Sequence, residues 1–365
     1  MPVVREVIQC IEDFAPSFYQ ESYDNSGLQV GDFRQEVTGA LLSVDVTEEV
    51  VDEAVSSGLN LIISHHPVIF GGLKRITGNN YTERVISKAI KNDISIYSCH
   101  TNIDNVSSGV SFRMADKLGL IRVMVLKPLT GMLCKLVTFV PVEHAEKVRQ
   151  AIFDAGAGHI GLYDCCSFNI SGEGTFRASE EANPFVGEKG QVHHEPEIRI
   201  ETIFPKHLES KILSSMIKAH PYEEVAYDIY PLANRFNNVG AGAVGYFEHP
   251  MDETGFLKLL KERFDVPVIR HTKLLSRKIS CVALCGGSGS SFLSDARKAG
   301  ADVFVTGDFK YHQFFDAENR ILIADIGHFE SEQFTLEIFY DLLIKNFSNF
   351  ALRFTKVKTN PINYF

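Results

Sequence analysis

The sequence lacks tryptophan, long apolar runs and paired cysteine motifs. None of the 365 residues is Trp. No stretch approaches the roughly 18 consecutive apolar residues that a membrane-spanning helix needs. The seven cysteines are unevenly spaced and do not form the two CxxC-type pairs of a zinc ribbon. We therefore predict no membrane span and no cysteine-based zinc site.

The N-terminal segment MPVVREVIQCIEDFAP lacks a basic stretch followed by an apolar core. It therefore predicts an amphipathic helix and no signal peptide. An odd number of cysteines without regular spacing is typical of a reducing compartment. We expect a cytoplasmic protein.

The charge balance is acidic, with 46 Asp and Glu against 36 Lys and Arg. Sequence-independent binding to nucleic acid depends on Lys and Arg that displace counterions, so a net charge of -10 argues against it. Hydrophobic residues make up 45% of the chain, which is ordinary for a globular protein. The length predicts two or three domains.

Apolar strand-like runs alternate with helical periodicity at both ends of the chain. GALLSVDVT (39–47), NLIISHHP (60–67) and SIYSCH (95–100) predict strands separated by helices. The last third repeats the pattern and ends in FESEQFTLEIFYDLLIKNF (329–347), which predicts one long amphipathic helix. This alternation predicts an α/β fold with a largely parallel sheet covered by helices.

The middle of the chain has a different order of elements. Residues 129–235 predict strand, helix, two strands, helix and strand, the βαββαβ order of a ferredoxin-like unit. The polar stretch SEEANPFVGEKGQVHHEP (179–196) predicts an exposed loop inside this unit. We therefore expect two α/β halves, residues 1–128 and 236–365, which form one domain that carries residues 129–235 as an insertion.

Histidines and carboxylates follow three of the predicted strands, at the point where each strand ends. Ligands of open α/β sheets bind beyond the carboxyl ends of the strands, so these groups should meet at one edge. Taken singly, each His could equally be a hydrogen-bonded surface residue. Together they predict a metal site with five candidate ligands: His65, His66, Asp104, His328 and Glu332.

The types of the candidate ligands restrict the ion. Three imidazoles with two carboxylates suit Zn, Mn, Fe or Ni better than Ca or Mg, which prefer all-oxygen shells. A carboxylate can bridge two ions about 3.5–4 Å apart, and adjacent histidines can serve one ion each. We therefore expect two divalent ions per subunit, with zinc as the first choice.

Further polar groups should lie at the same edge. CGGSGSSF (285–292) predicts either a tight structural turn or an anion contact that involves Ser288 and Ser290. In TGDFKYH (306–312), Lys310 could bind a phosphate, while Asp308 could equally be a helix N-cap. His100 and His312 are the candidates for proton transfer.

The chain resembles the GTP cyclohydrolase I type 2-like family, also called the NGG-interacting-factor-three-like family. The resemblance rests on motifs at both ends of the chain: YDNSGLQVG (23–31), SHHP (64–67), HTNID (100–104), CGGSGSSF (285–292), TGDFKYH (306–312) and GHFESE (327–332). The middle resembles the CutA/PII-like insert of some bacterial members. Many relatives have a Trp before the GLQVG segment, and this chain does not.

The resemblance implies a pair of divalent metals on the same five ligands and a toroidal homohexamer. It also implies a hydrolase that acts on a nucleotide or related small molecule, such as a GTP cyclohydrolase that opens a guanine ring. A non-catalytic metal-binding regulatory or scaffold protein is the alternative. A nucleic-acid ring is the third candidate, and the acidic charge opposes it.

Overall fold

The structure, a computed structural model, describes residues 1–347 and 349–365. It divides into two compact units, the first built from residues 1–128 and 237–365 and the second from residues 129–236. Among the described residues, no helix has the length and apolar character needed to cross a bilayer.

The helices and strands follow one another in three stretches of the chain. The first stretch contains α1 (Val4–Phe14), β1 (Gly27–Val30), β2 (Gly39–Ser43), α2 (Glu48–Ser56), β3 (Leu61–Ser64), α3 (Tyr81–Lys91), β4 (Ser95–Ser98), α4 (Thr101–Asp104), α5 (Val110–Leu118) and β5 (Ile121–Thr130). The second contains β6 (Leu133–Pro141), α6 (Ala145–Asp154), β7 (Ser167–Arg177), β8 (Val192–Pro205), α7 (Glu209–Ala219) and β9 (Tyr227–Leu232). The third contains β10 (Arg235–Asp252), α8 (Glu253–Phe264), β11 (Arg270–His271), β12 (Lys278–Ser288), α9 (Leu293–Lys298), β13 (Val303–Gly307), β14 (Leu322–Asp325), α10 (His328–Glu332), α11 (Thr335–Asn346) and β15 (Ala351–Phe354).

The first unit contains a five-stranded sheet in the order β1-β4-β3-β2-β15. Its strands are parallel except for β1, which pairs antiparallel with β4. The central strands are buried along their whole length and pack against α2 and α3. Thr47 begins α2 by accepting a hydrogen bond from the Val50 backbone N–H, as an N-cap residue does.

A six-stranded sheet in the same unit has the order β11-β14-β13-β12-β10-β5. Its centre, β12 to β14, is parallel, whereas β10 pairs antiparallel with β12 and β11 pairs antiparallel with β14. The α/β class is therefore confirmed, although both sheets are mixed. Cys281 and Cys285 both lie in the core on one side of this sheet.

The C-terminal helical segment corrects one expectation. The predicted single helix over 329–347 is two helices, α10 and α11. Gln333 lies at the junction and donates its side-chain amide to the carbonyl oxygens of Glu330 and Phe264. Gln333 and Phe334 keep right-handed helical backbone angles, so the sequence periodicity continues across the break.

The second unit is a four-stranded antiparallel sheet in the order β7-β8-β6-β9 with helices α6 and α7. Leu136 and Ile200 from the sheet pack against Val148 and Ile212 from the two helices. Its elements follow one another as β6-α6-β7-β8-α7-β9. The predicted loop over 179–196 is shorter than expected, because β8 already begins at Val192.

Candidate metal centre

The carboxyl ends of parallel strands bring the candidate ligands together in the first unit. His65 and His66 directly follow β3, and α4, which follows β4, ends at Asp104. Helix α10 follows β14, begins at His328 and ends at Glu332. Ligand atoms within 4.8 Å of one another form three overlapping groups: His65 with Asp104 and Glu332, His66 with His328 and Glu332, and His65 with His66 and His100.

Glu332 lies between two of these groups and is almost completely buried. Its Oε1 atom is 3.5 Å from His65 Nε2, and its Oε2 atom is 3.0 Å from His66 Nε2 and 3.1 Å from His328 Nε2. Asp104 Oδ1 lies 3.9 Å from His65 Nε2. The two oxygens of one carboxylate therefore face two different sets of donor atoms.

Hydrogen bonds on the far side of each ring determine which nitrogen faces the centre. His66 Nδ1 lies 2.8 Å from Asp45 Oδ1, and His65 Nδ1 lies 3.1 Å from the Cys99 carbonyl oxygen. Since both partners only accept, Nδ1 carries the proton in each ring. The Nε2 lone pairs then point inward. This is how second-layer carboxylates and carbonyls orient metal-binding imidazoles.

His328 follows the same pattern. Its Nδ1 atom lies 2.6 Å from Asp308 Oδ2, which makes Nδ1 the donor. Asp308 was expected either at this edge or as a helix N-cap, and the structure places its side chain on His328. Asp45 was missed by the sequence analysis, although it comes two residues after β2 and the strand-end rule would have included it.

Three buried polar atoms around the centre have no hydrogen-bond partner among the described residues: His65 Nε2, Asp104 Oδ1 and Glu332 Oε2. All three belong to candidate ligands. A buried polar atom without a partner costs about 1–3 kcal/mol. The lone pairs around Glu332 and Asp104 lie 3.0–3.9 Å from one another and repel unless a cation lies between them. The donor set therefore fits a metal.

The pKa values of the imidazoles follow from burial and from neighbouring carboxylates. Burial lowers the pKa of His65 to about 4, and Glu332 only partly offsets this effect. Burial also disfavours charge on His66, but the hydrogen bond with Asp45 and the adjacent carboxylate of Glu332 outweigh it and raise the pKa to about 10. For His328 the adjacent carboxylate of Glu332 and the hydrogen bond with Asp308 likewise outweigh burial and raise the pKa to about 9.

The two carboxylates have opposite pKa shifts. Burial, reinforced by the charge of Glu332, raises the pKa of Asp104 well above its ordinary value. Burial also disfavours charge on Glu332, but the adjacent His65 and His328 rings outweigh it and hold the pKa of Glu332 well below its usual range. The electrostatics therefore favour positive charge beside Glu332.

Comparison with known proteins identifies the family. Residues 2–361 match the model described as Duf34/NIF3 (NGG1p interacting factor 3). The chain belongs to the DUF34/NIF3 family. It is 44% identical over 326 residues to the GTP cyclohydrolase 1 type 2 homolog of Halalkalibacterium halodurans, covering 89% of this chain and 88% of the relative. The Bacillus subtilis homolog of the same name is 40% identical over 327 residues, with the same coverage of both chains.

The solved structures agree with the sequence relatives. The structure of a Bacillus cereus protein related to NIF3 is 40% identical, has a TM-score of 0.87 and covers 100% of this chain and 99% of its own. A Staphylococcus aureus protein is 27% identical, has a TM-score of 0.78 and is matched over the same shares of both chains. The resemblance to this family in the sequence is therefore confirmed.

The glycine-rich segment of this DUF34/NIF3 protein makes room for Glu332. Strand β12 continues through Gly286 and Gly287 to Ser288, so the segment is not simply a turn after the strand. Gly287 has φ of +61°, and a Cβ atom there would lie 2.1 Å from Glu332 Oε1. Its backbone N–H donates to Ser331 Oγ at 2.8 Å. The absence of a side chain at Gly287 therefore allows Glu332 to reach the centre.

His100 lies beside the candidate ligands in this DUF34/NIF3 protein. Its ring centroid is 5.3 Å from those of His65 and His66, and its Nδ1 atom is 2.7 Å from Asp24 Oδ1. Burial opposes charge on Asp24, but hydrogen bonds from His100 and Thr101 outweigh it and lower the pKa of Asp24. Asp24 is therefore an anion that orients His100.

The remaining predicted residues lie outside the three ligand groups. Lys310 and His312 are exposed at the start of the 3-10 segment Tyr311–Ala317, where the His312 ring contacts Tyr311 and Phe315. Ser290 Oγ accepts a hydrogen bond from Gln313, and Ser288 is exposed at the end of β12.

Proposed function

We propose that this protein is a hydrolase that depends on two divalent metal ions. His65, Asp104 and Glu332 would hold one ion, and His66, His328 and Glu332 would hold the other. The observation that carries this proposal is the set of buried lone pairs that face one another without partners. Ligands about 2.1 Å from one ion are separated by roughly 3.0–3.5 Å, close to the distances around Glu332.

The mixed nitrogen and oxygen donors support zinc as the first choice, with Mn, Fe or Ni as the other candidates. Ions of this kind activate water for attack and neutralise charge that develops on the substrate. Three protein ligands for each ion leave coordination positions for water and substrate, which supports catalysis over a closed structural site.

The chain's own residues have separate roles in this proposal. Asp45 and Asp308 fix the tautomers of His66 and His328. His100 is held at Nδ1 by Asp24, so its Nε2 atom would exchange a proton with the substrate or with water. His312 is the second candidate for proton transfer.

We infer a nucleotide or a related small molecule as substrate. The name of the relatives, GTP cyclohydrolase 1 type 2 homolog, supports hydrolytic opening of a guanine ring as the first reaction to test. Lys310, Ser288 and Ser290 would contact phosphate groups, and all three lie near the ends of β12 and β13.

We also propose that residues 129–235 are an inserted domain of the CutA/PII-like kind, and that the subunits form a toroidal hexamer in the cytoplasm. The compactness of the second unit supports the inserted domain. Mass measurement of the native protein in solution tests the hexamer.

The experiment that tests the function compares wild type with His65→Ala and Glu332→Ala after reconstitution with zinc or manganese. Each protein is incubated with GTP, and ring opening and formate release are followed. We expect both variants to lose metal and activity, while Glu337→Gln on α11 keeps both. Activity that survives both substitutions would exclude the mechanism. Metal-loaded wild type that leaves GTP and other nucleotides intact would favour the regulatory or scaffold role.

A further inference from the structure

The second unit contains a cavity of about 700 Å³ whose lining residues all lie between Phe139 and Ala226. It is formed on one face of the sheet and is bordered by the segment that connects β7 to β8, from which Pro184 and Phe185 line it. This volume is in the range of small-molecule sites. Neither the metal centre nor the function proposed for it accounts for this cavity.

Two glycines of β7 leave one side of the cavity open. Gly172 pairs with Glu197 of β8, so a side chain at position 172 would project on the same face as Glu197. A Cβ atom at Gly172 would have nothing within 4 Å, whereas one at Gly174 would lie 2.2 Å from Glu197 Oε2. The glycines therefore keep a flat surface clear and allow the Glu197 carboxylate to lie over the strand.

Aromatic rings line the other sides. The Tyr222 ring lies 6.0 Å from that of Phe176 and 6.3 Å from that of Phe185, measured between centroids. Phe139 also lines the cavity. Flat apolar walls of this kind favour a planar ligand that stacks on or packs against them.

A buried carboxylate on this surface belongs to Glu197, which is only 9% exposed. Its Oε1 atom accepts a hydrogen bond from the Tyr222 hydroxyl at 2.8 Å. No hydrogen bond from the described residues reaches its Oε2 atom, and a carboxylate oxygen can accept more than one bond. Both oxygens of Glu197 can therefore accept from a ligand.

Charged residues at the cavity argue against a phosphorylated ligand. Glu173, Glu223 and Glu224 line it together with Glu197, against Arg177 and Arg199. One terminal nitrogen of Arg199 is paired with Glu201 at 2.7 Å, whereas its buried Nε atom has no hydrogen-bond partner among the described residues. An excess of carboxylates favours a neutral or cationic molecule.

We propose that this cavity binds a neutral planar heterocycle with an N–H and an adjacent amino group on one edge, as in guanine or a pterin. The two donors of that edge would bond to the two oxygens of Glu197 side by side, in the manner of a bidentate carboxylate pair. The heterocycle would pack against the contacting rings of Phe176, Phe185 and Tyr222. Specificity would come from this edge, because a ring without the paired donors would leave Oε2 of the buried Glu197 without a hydrogen bond.

Calorimetric titration of the full-length protein with guanosine and with pterin tests the proposal, and adenosine serves as the matched ligand without the paired donors. We expect guanosine or pterin to bind, the tighter one identifying the ring system, and adenosine to bind at least about tenfold more weakly. Failure of both guanosine and pterin to bind would overturn the proposal.

Three variants locate the site. Gly172→Val places a residue that suits strands into the open space and should abolish binding. Glu197→Gln should weaken binding by about tenfold or more, since one of its two acceptors becomes a donor. Ser171→Val, at the exposed neighbouring position on the opposite face of β7, should bind as wild type does.

Thermal unfolding of each variant shows whether it is folded. If Gly172→Val does not fold, the test depends on Glu197→Gln alone, and wild-type affinity of this variant for the ligand would overturn the proposal. Binding that persists in folded Gly172→Val, or that is lost in His65→Ala, would also overturn it, because the ligand would then lie elsewhere. Neither outcome bears on the hydrolase, which is tested by metal content and turnover.

Discussion

His66 and His328 approach each other with 3.2 Å between their Nε2 atoms, although they are 262 positions apart in the sequence. In its neutral form each ring carries its proton on Nδ1, bound to Asp45 or Asp308, so two Nε2 lone pairs would then face each other. Glu332 Oε2 adds a third acceptor at 3.0 and 3.1 Å from these nitrogens. Only a cation, whether a proton or a metal, stabilises this arrangement.

Asp45 and Asp308 should control metal affinity without touching the metal. We expect Asp45→Asn and Asp308→Asn each to weaken zinc binding by about 10- to 100-fold, because the imidazole loses its charged partner. Asn tolerates the positive φ of Asp308, so the backbone should be kept. Competition with a chromophoric chelator measures the affinity. Asp52→Asn, which alters an exposed pair with Lys88, is the control. Wild-type affinity in both variants would contradict the orienting role.

Gly287→Ala should displace Glu332 without removing any ligand. The new methyl group would overlap Glu332 Oε1, so we expect loss of at least one ion, measured by elemental analysis. Gly300→Ala is the matched control, because it has φ of +74° and open space around its Cβ position. Both variants should lose about 1–2 kcal/mol of stability from the left-handed backbone. Equal metal content in the two proteins would show that Gly287 does not make room for Glu332.

Metal binding should stabilise the folded state. At a free zinc concentration 100-fold above the dissociation constant, one site contributes about 2.7 kcal/mol. For the first unit, which contains the metal centre, this free energy corresponds to a rise in Tm of roughly 5–10 °C relative to chelator-treated protein. Glu332→Gln should show little of this rise. A wild-type Tm that is the same with zinc and with chelator would contradict a metal site.

Asp24 should make stability depend on acid pH. Its pKa is lowered in the folded state, so its contribution is present above the unfolded value of about 4 and is lost as the pH falls through the lower folded value. We expect Asp24→Asn to be less stable than wild type by about 1–3 kcal/mol at pH 7, with a smaller difference below pH 3. Urea unfolding at several pH values measures this. Parallel curves for the two proteins would contradict it.

His100 and His312 should differ in their effect on catalysis. His100 lies beside the ligand groups, whereas His312 is exposed beside Tyr311 and Phe315. We expect His100→Gln to lower the turnover number by about 10²- to 10⁴-fold with metal content unchanged, and His312→Gln to lower it by less than about tenfold. The reverse order would assign proton transfer to His312.

Local patterns in the sequence predicted much of this fold. The alternation of buried strands with amphipathic helices predicted the α/β class. The break between α10 and α11 was not predictable, because Gln333 keeps helical angles and its partner Phe264 is distant in the sequence.

The sequence by itself determined which types of ligand the centre can contain. Residues that directly follow a strand, or that lie one helical turn apart, are placed by their spacing along the chain alone. His65 and His66 after β3, and His328 four residues before Glu332, are examples. Only the tertiary structure decided that Glu332 faces two sets of donors, that Asp45 orients His66 and that Gly287 makes room. These relationships depend on how distant segments pack, and a local sequence pattern does not predict the distance between residues 66 and 328.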